Sequence, residues 1–189
     1  MENKFTYGAF VLAGGKSSRM GSDKGLIEFK GKKMIEHVLD SVNKVAVASI
    51  ISNNDEYRQF GKPVWPDIYK NCGPLGGIHS ALNNSNADWN LVVSCDLPFM
   101  TSDFLFFLLK QIKMHDGKTR VPVHDSQAEP LCALYHRSCI TEIEKLILKK
   151  ELKMQNALPK LNTAYVDVPA EFNSSVLFRN INSPADISR

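Results

Sequence analysis

The sequence predicts a single α/β domain spanning residues 1–189, built as three layers with helices on both faces of a mostly parallel sheet. Three observations predict it. Apolar runs of strand length, at residues 7–12, 45–51 and 90–94, alternate with segments at helical spacing through the first half of the chain, the pattern of right-handed β-α-β crossovers. Those runs are apolar on successive residues, as strands covered on both faces are. Finally, 189 residues with 43% hydrophobic and 23% charged content suit one full core and are too few for two ordinary domains. No internal repeat, linker or low-complexity tract divides the chain.

The elements follow in order. After the first strand and its glycine turn, residues 26–29 with Lys30-Gly31 read as a short extended piece and a turn. Met34, Ile35, Val38, Leu39 and Val42 recur at helical spacing. Residues 45–51 form the second strand, Asn53-Asn54-Asp55 caps a short helix, and residues 63–65 form a brief strand. A loop bearing glycine and proline runs from 66 to 77, a helix from 78 to 84, and a buried strand from 90 to 94. Thr101-Ser102-Asp103 starts an apolar helix that covers residues 104–114. Residues 119–123 and 129–135 are strands, and Pro122 and Pro130 place them near an edge or a strand start. Residues 140–150 alternate Glu and Lys with Ile and Leu, a surface helix with i,i+4 ion pairs. Apolar runs at 164–168 and 176–181 complete the chain.

One stretch organises the rest: Val11-Leu12-Ala13-Gly14-Gly15-Lys16-Ser17-Ser18-Arg19-Met20-Gly21-Ser22-Asp23-Lys24. A buried strand that ends in paired glycines lets the backbone approach a ligand, and amides exposed in such a turn bind anions. Between Gly14 and Lys33 six basic side chains face only Asp23 and Glu28, a net +4 against +3 for the whole chain. The positive field is local, which suits a polyphosphate rather than a nucleic acid. A Walker loop would need glycine where Phe10 stands, and a G-x-G-x-x-G fingerprint is absent. The remaining alternative is a strand-to-helix turn whose glycines serve geometry and whose lysines are solvated. Asp96 ends the 90–94 strand, where open α/β sheets place ligand-binding groups. Magnesium takes one or two carboxylates plus substrate phosphates, so Asp96 is a metal candidate, with a turn cap beside Pro98 as the alternative.

Other classes recede. Cys72, Cys95, Cys132 and Cys139 show no C-x-x-C spacing, so neither a zinc knuckle nor a redox dithiol is suggested. No apolar run reaches the roughly 20 residues of a membrane helix, and Met1-Glu2-Asn3-Lys4 leads into a strand rather than a signal peptide. A soluble cytoplasmic protein with reduced thiols is expected. His79, His115, His124 and His136 are scattered and make no nucleophile motif.

The run Leu12-Ala13-Gly14-Gly15-x-Ser17-x-Arg19-Met20-Gly21-x-Asp23-Lys24 resembles the signature of the molybdenum cofactor guanylyltransferase family. Gly73-Pro74-Leu75-Gly76-Gly77, Cys95-Asp96-Leu97-Pro98 and Asn180-Ile181-Asn182-Ser183-Pro184 agree in order and spacing. The resemblance implies a Rossmann-like nucleotidyltransferase sheet with an antiparallel edge element. It implies transfer of GMP from GTP to the terminal phosphate of molybdopterin or Mo-molybdopterin, with pyrophosphate released and Mg2+ as cofactor. Other molybdenum cofactor biosynthesis proteins and target molybdoenzyme chaperones are the implied partners; nucleic acid and membrane are not. Leu12, Ala13, Gly14, Gly15, Asn53, Asp67 and the Gly73 to Gly77 turn would line the nucleotide cleft. Lys24 would contact the α-phosphate, where charge builds during transfer. Arg19 would clamp the β- and γ-phosphates, Asp96 would bind the metal, Lys16 would be solvated and Asp23 would pair with a cation. Glu129-Pro130 and Asn182 fall on the second-substrate side. Glycine at both Gly14 and Gly15 matches the guanine-using branch, since the cytosine-using branch has alanine at the first of the pair. Rival readings are a related transferase using CTP or a sugar-phosphate acceptor, and a nucleotide-binding module without turnover.

Overall fold

The computed structural model describes residues 5–14 and 23–181. Its elements are β1 (Tyr7–Leu12), β2 (Glu28–Phe29), β3 (Lys32–Lys33), α1 (Met34–Val42), β4 (Ala48–Ile51), β5 (Val64–Trp65), α2 (Gly73–Asn83), β6 (Trp89–Ser94), α3 (Ser102–Lys110), β7 (Thr119–His124), β8 (Gln127–Ala128), β9 (Cys132–His136), α4 (Ile140–Leu148), α5 (Met154–Ala157), β10 (Thr163–Asp167) and α6 (Ser174–Leu177). Short 3-10 turns lie between them, two of which, Lys24–Leu26 and Asp55–Phe60, matter for the site.

The central sheet has the order β10-β7-β9-β6-β1-β4-β5, with β8 paired to β7 off this path. β1 lies between β4 and β6 and is parallel to both. The antiparallel strand β9 is inserted between β6 and β7, and β8 adds an antiparallel hairpin to the end of β7. Alternate residues of each strand feed opposite faces. Ala9, Val11, Leu91 and Val93 join α1 and α3 in one core cluster, while Phe10, Val92 and Ala133 join α2 and α4 in the other. Three layers result.

Several expectations shift in detail. β7 is an interior strand rather than an edge: Pro122 is in register with Val166 of β10. Proline is tolerated because the ladder to β9 involves only Thr119 and Arg120, so its missing N–H removes no bond on that side. Residues 45–47 belong to the turn before β4, and α2 begins at Gly73 with Pro74 in its first turn, where proline's missing donor is harmless. The outer face of α4 carries a Lys145–Glu142 pair at i,i+3 spacing, while Ile143, Leu146 and Ile147 face the core, and the apolar run at 176–181 begins in a short helix, Ser174–Leu177.

α3 ends before residue 114 for a reason invisible in its apolar sequence. Arg120, 2% exposed, donates from its guanidinium to the carbonyls of Gln111, Ile112, His115 and Thr119. It therefore satisfies carbonyls that the end of a helix leaves without intrahelical partners. Its guanidinium lies 4.7 Å from the centroid of the Trp89 ring, a cation–π contact.

Candidate active site

The carboxyl ends of β1, β4, β5 and β6 form one crest, and the predicted site residues that the structure describes gather there. Beyond its last strand residue, β1 is held on both sides: Ala13 N donates to Ile51 O at 2.9 Å, and Cys95 N donates to Leu12 O at 3.0 Å. Gly14 follows with φ +110°, and a Cβ there would stand 3.2 Å from Ser52 Oγ. Only glycine takes that backbone without strain. Ser52 is itself buried, and its Oγ accepts from Asn54 N at 3.1 Å. Below the crest, α2 packs Gly77 onto the side chain of Leu12.

Asn53 and Asp67 are brought together from β4 and β5. Asn53 Nδ2 donates to Asp67 Oδ2 at 2.8 Å, and Asp67 N donates to Asn53 Oδ1 at 3.1 Å. Burial pushes the Asp67 carboxyl above its ordinary range, and the Asn53 bond pulls it partly back.

Asp96 caps β6, its own N–H donating to Ser94 Oγ at 3.3 Å. Lys24 Nζ stands 3.7 Å from Asp96 Oδ2, and the two side chains are 20% and 29% exposed. Two candidates separated by most of the first half of the chain thus form one ion pair, open enough to be contacted by a ligand. The residue before Lys24 is equally well defined. The Asp23 carboxylate accepts from Tyr57 Oη at 2.5 Å, from Asn54 Nδ2 at 3.3 Å and from Gly25 N at 3.3 Å. Its described partners are neutral donors; Lys16 and Arg19, two of the cations expected to pair with it, are not among the described residues. Gly15, Lys16 and Arg19 lie outside the described residues, as do Asn182, Ser183 and Pro184.

Across β6 from this group lies Glu129, whose Oε1 is 2.9 Å from His124 Nε2. The His124 ring stacks on Phe178, centroids 4.8 Å apart and planes 5° apart. Burial raises the Glu129 carboxyl and His124 opposes the rise. His124 is therefore part of an ordered arrangement, which its isolated position in the sequence did not signal. Tyr57 was missed as well: its phenol is fully buried, and burial is the first cause that pushes it far above the usual tyrosine range. Nothing in a polar 3-10 segment announces a contact to a residue 34 positions earlier.

Covalent chemistry finds little support in the thiols. The four cysteines are free; burial drives Cys95 and Cys132 well up and Cys139 up to about 12, so none of these three is a ready thiolate. Among the described residues no group of three or more His, Cys, Asp or Glu side chains forms a metal cluster. Among them, too, no helix is long and apolar enough to cross a membrane.

A mostly parallel sheet with a glycine-ended first strand and a partly exposed lysine–aspartate pair at its carboxyl crest defines an α/β protein of the doubly wound, nucleotide-handling class. The chain belongs to the MobA-like NTP transferase domain family, whose model matches residues 9–164. A probable molybdenum cofactor guanylyltransferase of Clostridium perfringens is 38% identical over 161 residues, covering 84% of this chain and 80% of the relative. The corresponding Flavobacterium johnsoniae protein is 33% identical over 184 residues, covering 97% and 95%. Among solved structures, molybdopterin-guanine dinucleotide biosynthesis protein A from Archaeoglobus fulgidus superposes with a TM-score of 0.83 at 29% identity, covering 97% of this chain and 96% of that one.

Proposed function

We propose that this chain is a molybdenum cofactor guanylyltransferase that transfers GMP from GTP to the terminal phosphate of molybdopterin. The acceptor phosphate attacks the α-phosphorus, a new P–O–P bridge forms, and pyrophosphate leaves. The observation that carries this reading is the Lys24–Asp96 pair at 3.7 Å, set over the Gly14 crest. In the transfer, negative charge grows on the α-phosphate oxygens, and a cation already positioned there stabilises it. Family membership and the names of the relatives support the same substrate pair.

Magnesium fits the donor set. Asp96 is a partly exposed carboxylate beside Lys24, and a magnesium ion needs only one or two protein carboxylates when phosphates complete its shell. Asp96 would hold the ion, whose chemistry is to neutralise triphosphate charge. Asn53 and Asp67 serve the nucleoside, and Glu129 lies on the acceptor's side of β6. With few covalent groups required, alignment of two bound reactants supplies much of the effect, roughly 7–11 kcal/mol in well-oriented systems. The enzyme works in the cytoplasm, handing its product to other proteins of cofactor synthesis and insertion.

Pyrophosphate release tests the reading. Release from GTP that depends on molybdopterin supports it; release with a sugar phosphate or from CTP in its place moves the chain to a sister activity. Tight GTP binding without release under any acceptor would leave a binding module.

A further inference from the structure

We propose that Tyr57 is a positioning residue for the transfer: through Asp23 it locks the turn that carries Lys24, so that the ammonium is held opposite Asp96. The inference rests on the reading of Lys24 given above and extends it to a residue that does not touch substrate.

The geometry is specific. The Lys24–Leu26 turn begins with Asp23 as its cap, the Asp23 carboxylate accepting from Gly25 N. A capped three-residue turn is by itself too short to fix a side chain, because helical structure of that length has no cooperative support. What anchors it comes from another part of the fold. Tyr57 lies in the Asp55–Phe60 turn that follows β4, fully buried, and its hydroxyl reaches Asp23 Oδ1 at 2.5 Å. Asn54, the cap of that same turn, reaches Oδ2 at 3.3 Å. Both carboxylate oxygens are thus engaged by the segment after β4, while Lys24, one residue on, faces the segment after β6. Hydrogen bonds to an ionised partner are the short and strong kind.

Gly25 shows how tightly the parts are assembled. A Cβ at that position would lie inside van der Waals contact of Tyr57 Oη and 3.2 Å from Cys95 Sγ. The turn therefore rests directly on Tyr57 and on the residue preceding Asp96. No side chain fits between them. The three crest segments, after β1, β4 and β6, meet at Asp23, Tyr57 and Cys95, and Lys24 leaves from that junction.

A lock of this kind acts on the position of the ammonium in the transition state and little on ground-state nucleotide binding, so its loss should lower kcat with KM for GTP nearly constant. Tyr57→Phe removes one oxygen and keeps the ring. We expect kcat to fall roughly 10- to 100-fold, with KM for GTP within about threefold of the parent. Asp23→Ala should do the same, and Tyr57→Phe combined with Asp23→Ala should be no worse than Asp23→Ala alone, since both break one link. A Tyr57→Phe enzyme that keeps kcat within about twofold, or losses that add, would overturn the lock. Lys24→Ala is measured alongside: if it turns over normally, the role of Lys24 has failed, whereas a crippled Lys24→Ala beside a fully active Tyr57→Phe defeats the lock alone. Should Tyr57→Phe not fold, Asn54→Asp replaces the second donor by a carboxylate while retaining an oxygen for the cap. The same kcat loss at constant KM supports the lock, and parental kcat defeats it.

Discussion

Asn53 and Asp67 hold each other by two reciprocal hydrogen bonds, side chain to side chain at 2.8 Å and backbone to side chain at 3.1 Å. The pair bridges the ends of β4 and β5 and keeps one carboxylate on the carboxyl crest of the sheet. Asn53→Ala removes both bonds while leaving the strands intact. KM for GTP is expected to rise on the order of tenfold with kcat little changed, the mark of lost uniform binding. Steady-state kinetics with GTP as the varied substrate decides it; a fall in kcat at constant KM would contradict the assignment.

Asp96→Asn preserves shape and removes the charge opposite Lys24. Turnover is expected to fall on the order of 10²–10³, with the melting temperature nearly unchanged, because the pair is partly exposed and such pairs contribute little to stability. Activity is measured across a magnesium titration. A mutant as active as the parent at limiting magnesium would remove Asp96 from the metal's shell.

Guanine presents N1–H and N2–H₂ donors, so the site must offer acceptors. Leu12 O already accepts from Cys95 N, which leaves the Ala13 and Gly14 carbonyls and the Asp67 carboxylate as the principal candidates. A site built to satisfy those donors disfavours bases that lack them. GTP should exceed both CTP and ATP in kcat/KM. Gly14→Ala should narrow the GTP to CTP ratio, and because Gly14 has φ +110° it should also lower stability by roughly 1 kcal/mol or more. Equal use of CTP by the parent enzyme would exclude guanylyl specificity.

His79 is buried, its Nδ1 has no hydrogen-bond partner among the described residues, and burial lowers its pKa from 6.5. The unfolded chain then binds a proton that the folded chain resists, so stability falls as pH drops below the unfolded value toward the depressed folded one. His136 is lowered too, again first by burial, and acts in the same direction. Melting temperatures between about pH 7 and about pH 5 should decline in the parent and decline less in His79→Gln. Parallel curves would show that His79 contributes nothing to the slope.

Periodicity made the sheet's first half legible, because strands buried on both faces must be apolar throughout and their helices must return. It could not place β9, since an antiparallel strand inside a sheet has the same composition as a parallel neighbour. Pro122 pointed to an edge for a sound reason, but strand pairing over only Thr119 and Arg120 satisfied that constraint locally. Lys24 and Asp96 were legible from their motifs, and the structure brings them within 3.7 Å. The Tyr57 hydroxyl and the stacking of His124 on Phe178 were not: each depends on contacts between distant segments, which local sequence does not encode. Arg120 belongs with them, because a buried guanidinium is recognisable only once the carbonyls around it are known.

The central place of β1 has a kinetic consequence. Its pairing with β4 needs only the first 51 residues, with Leu12 opposite Ile51. On the other side, Thr6 meets Asp88 across 82 positions. Chain synthesis at roughly 5–20 residues per second therefore delivers the two neighbours of β1 several seconds apart. The Asp23–Tyr57 bond can form once β4 and the turn after it are made, whereas Asp96 arrives only with β6 and must close a longer loop to reach Lys24. A nascent chain stalled before β6 would hold its lysine turn in place without Asp96 opposite it, exposing an apolar strand edge at β1 to whatever other strand is near.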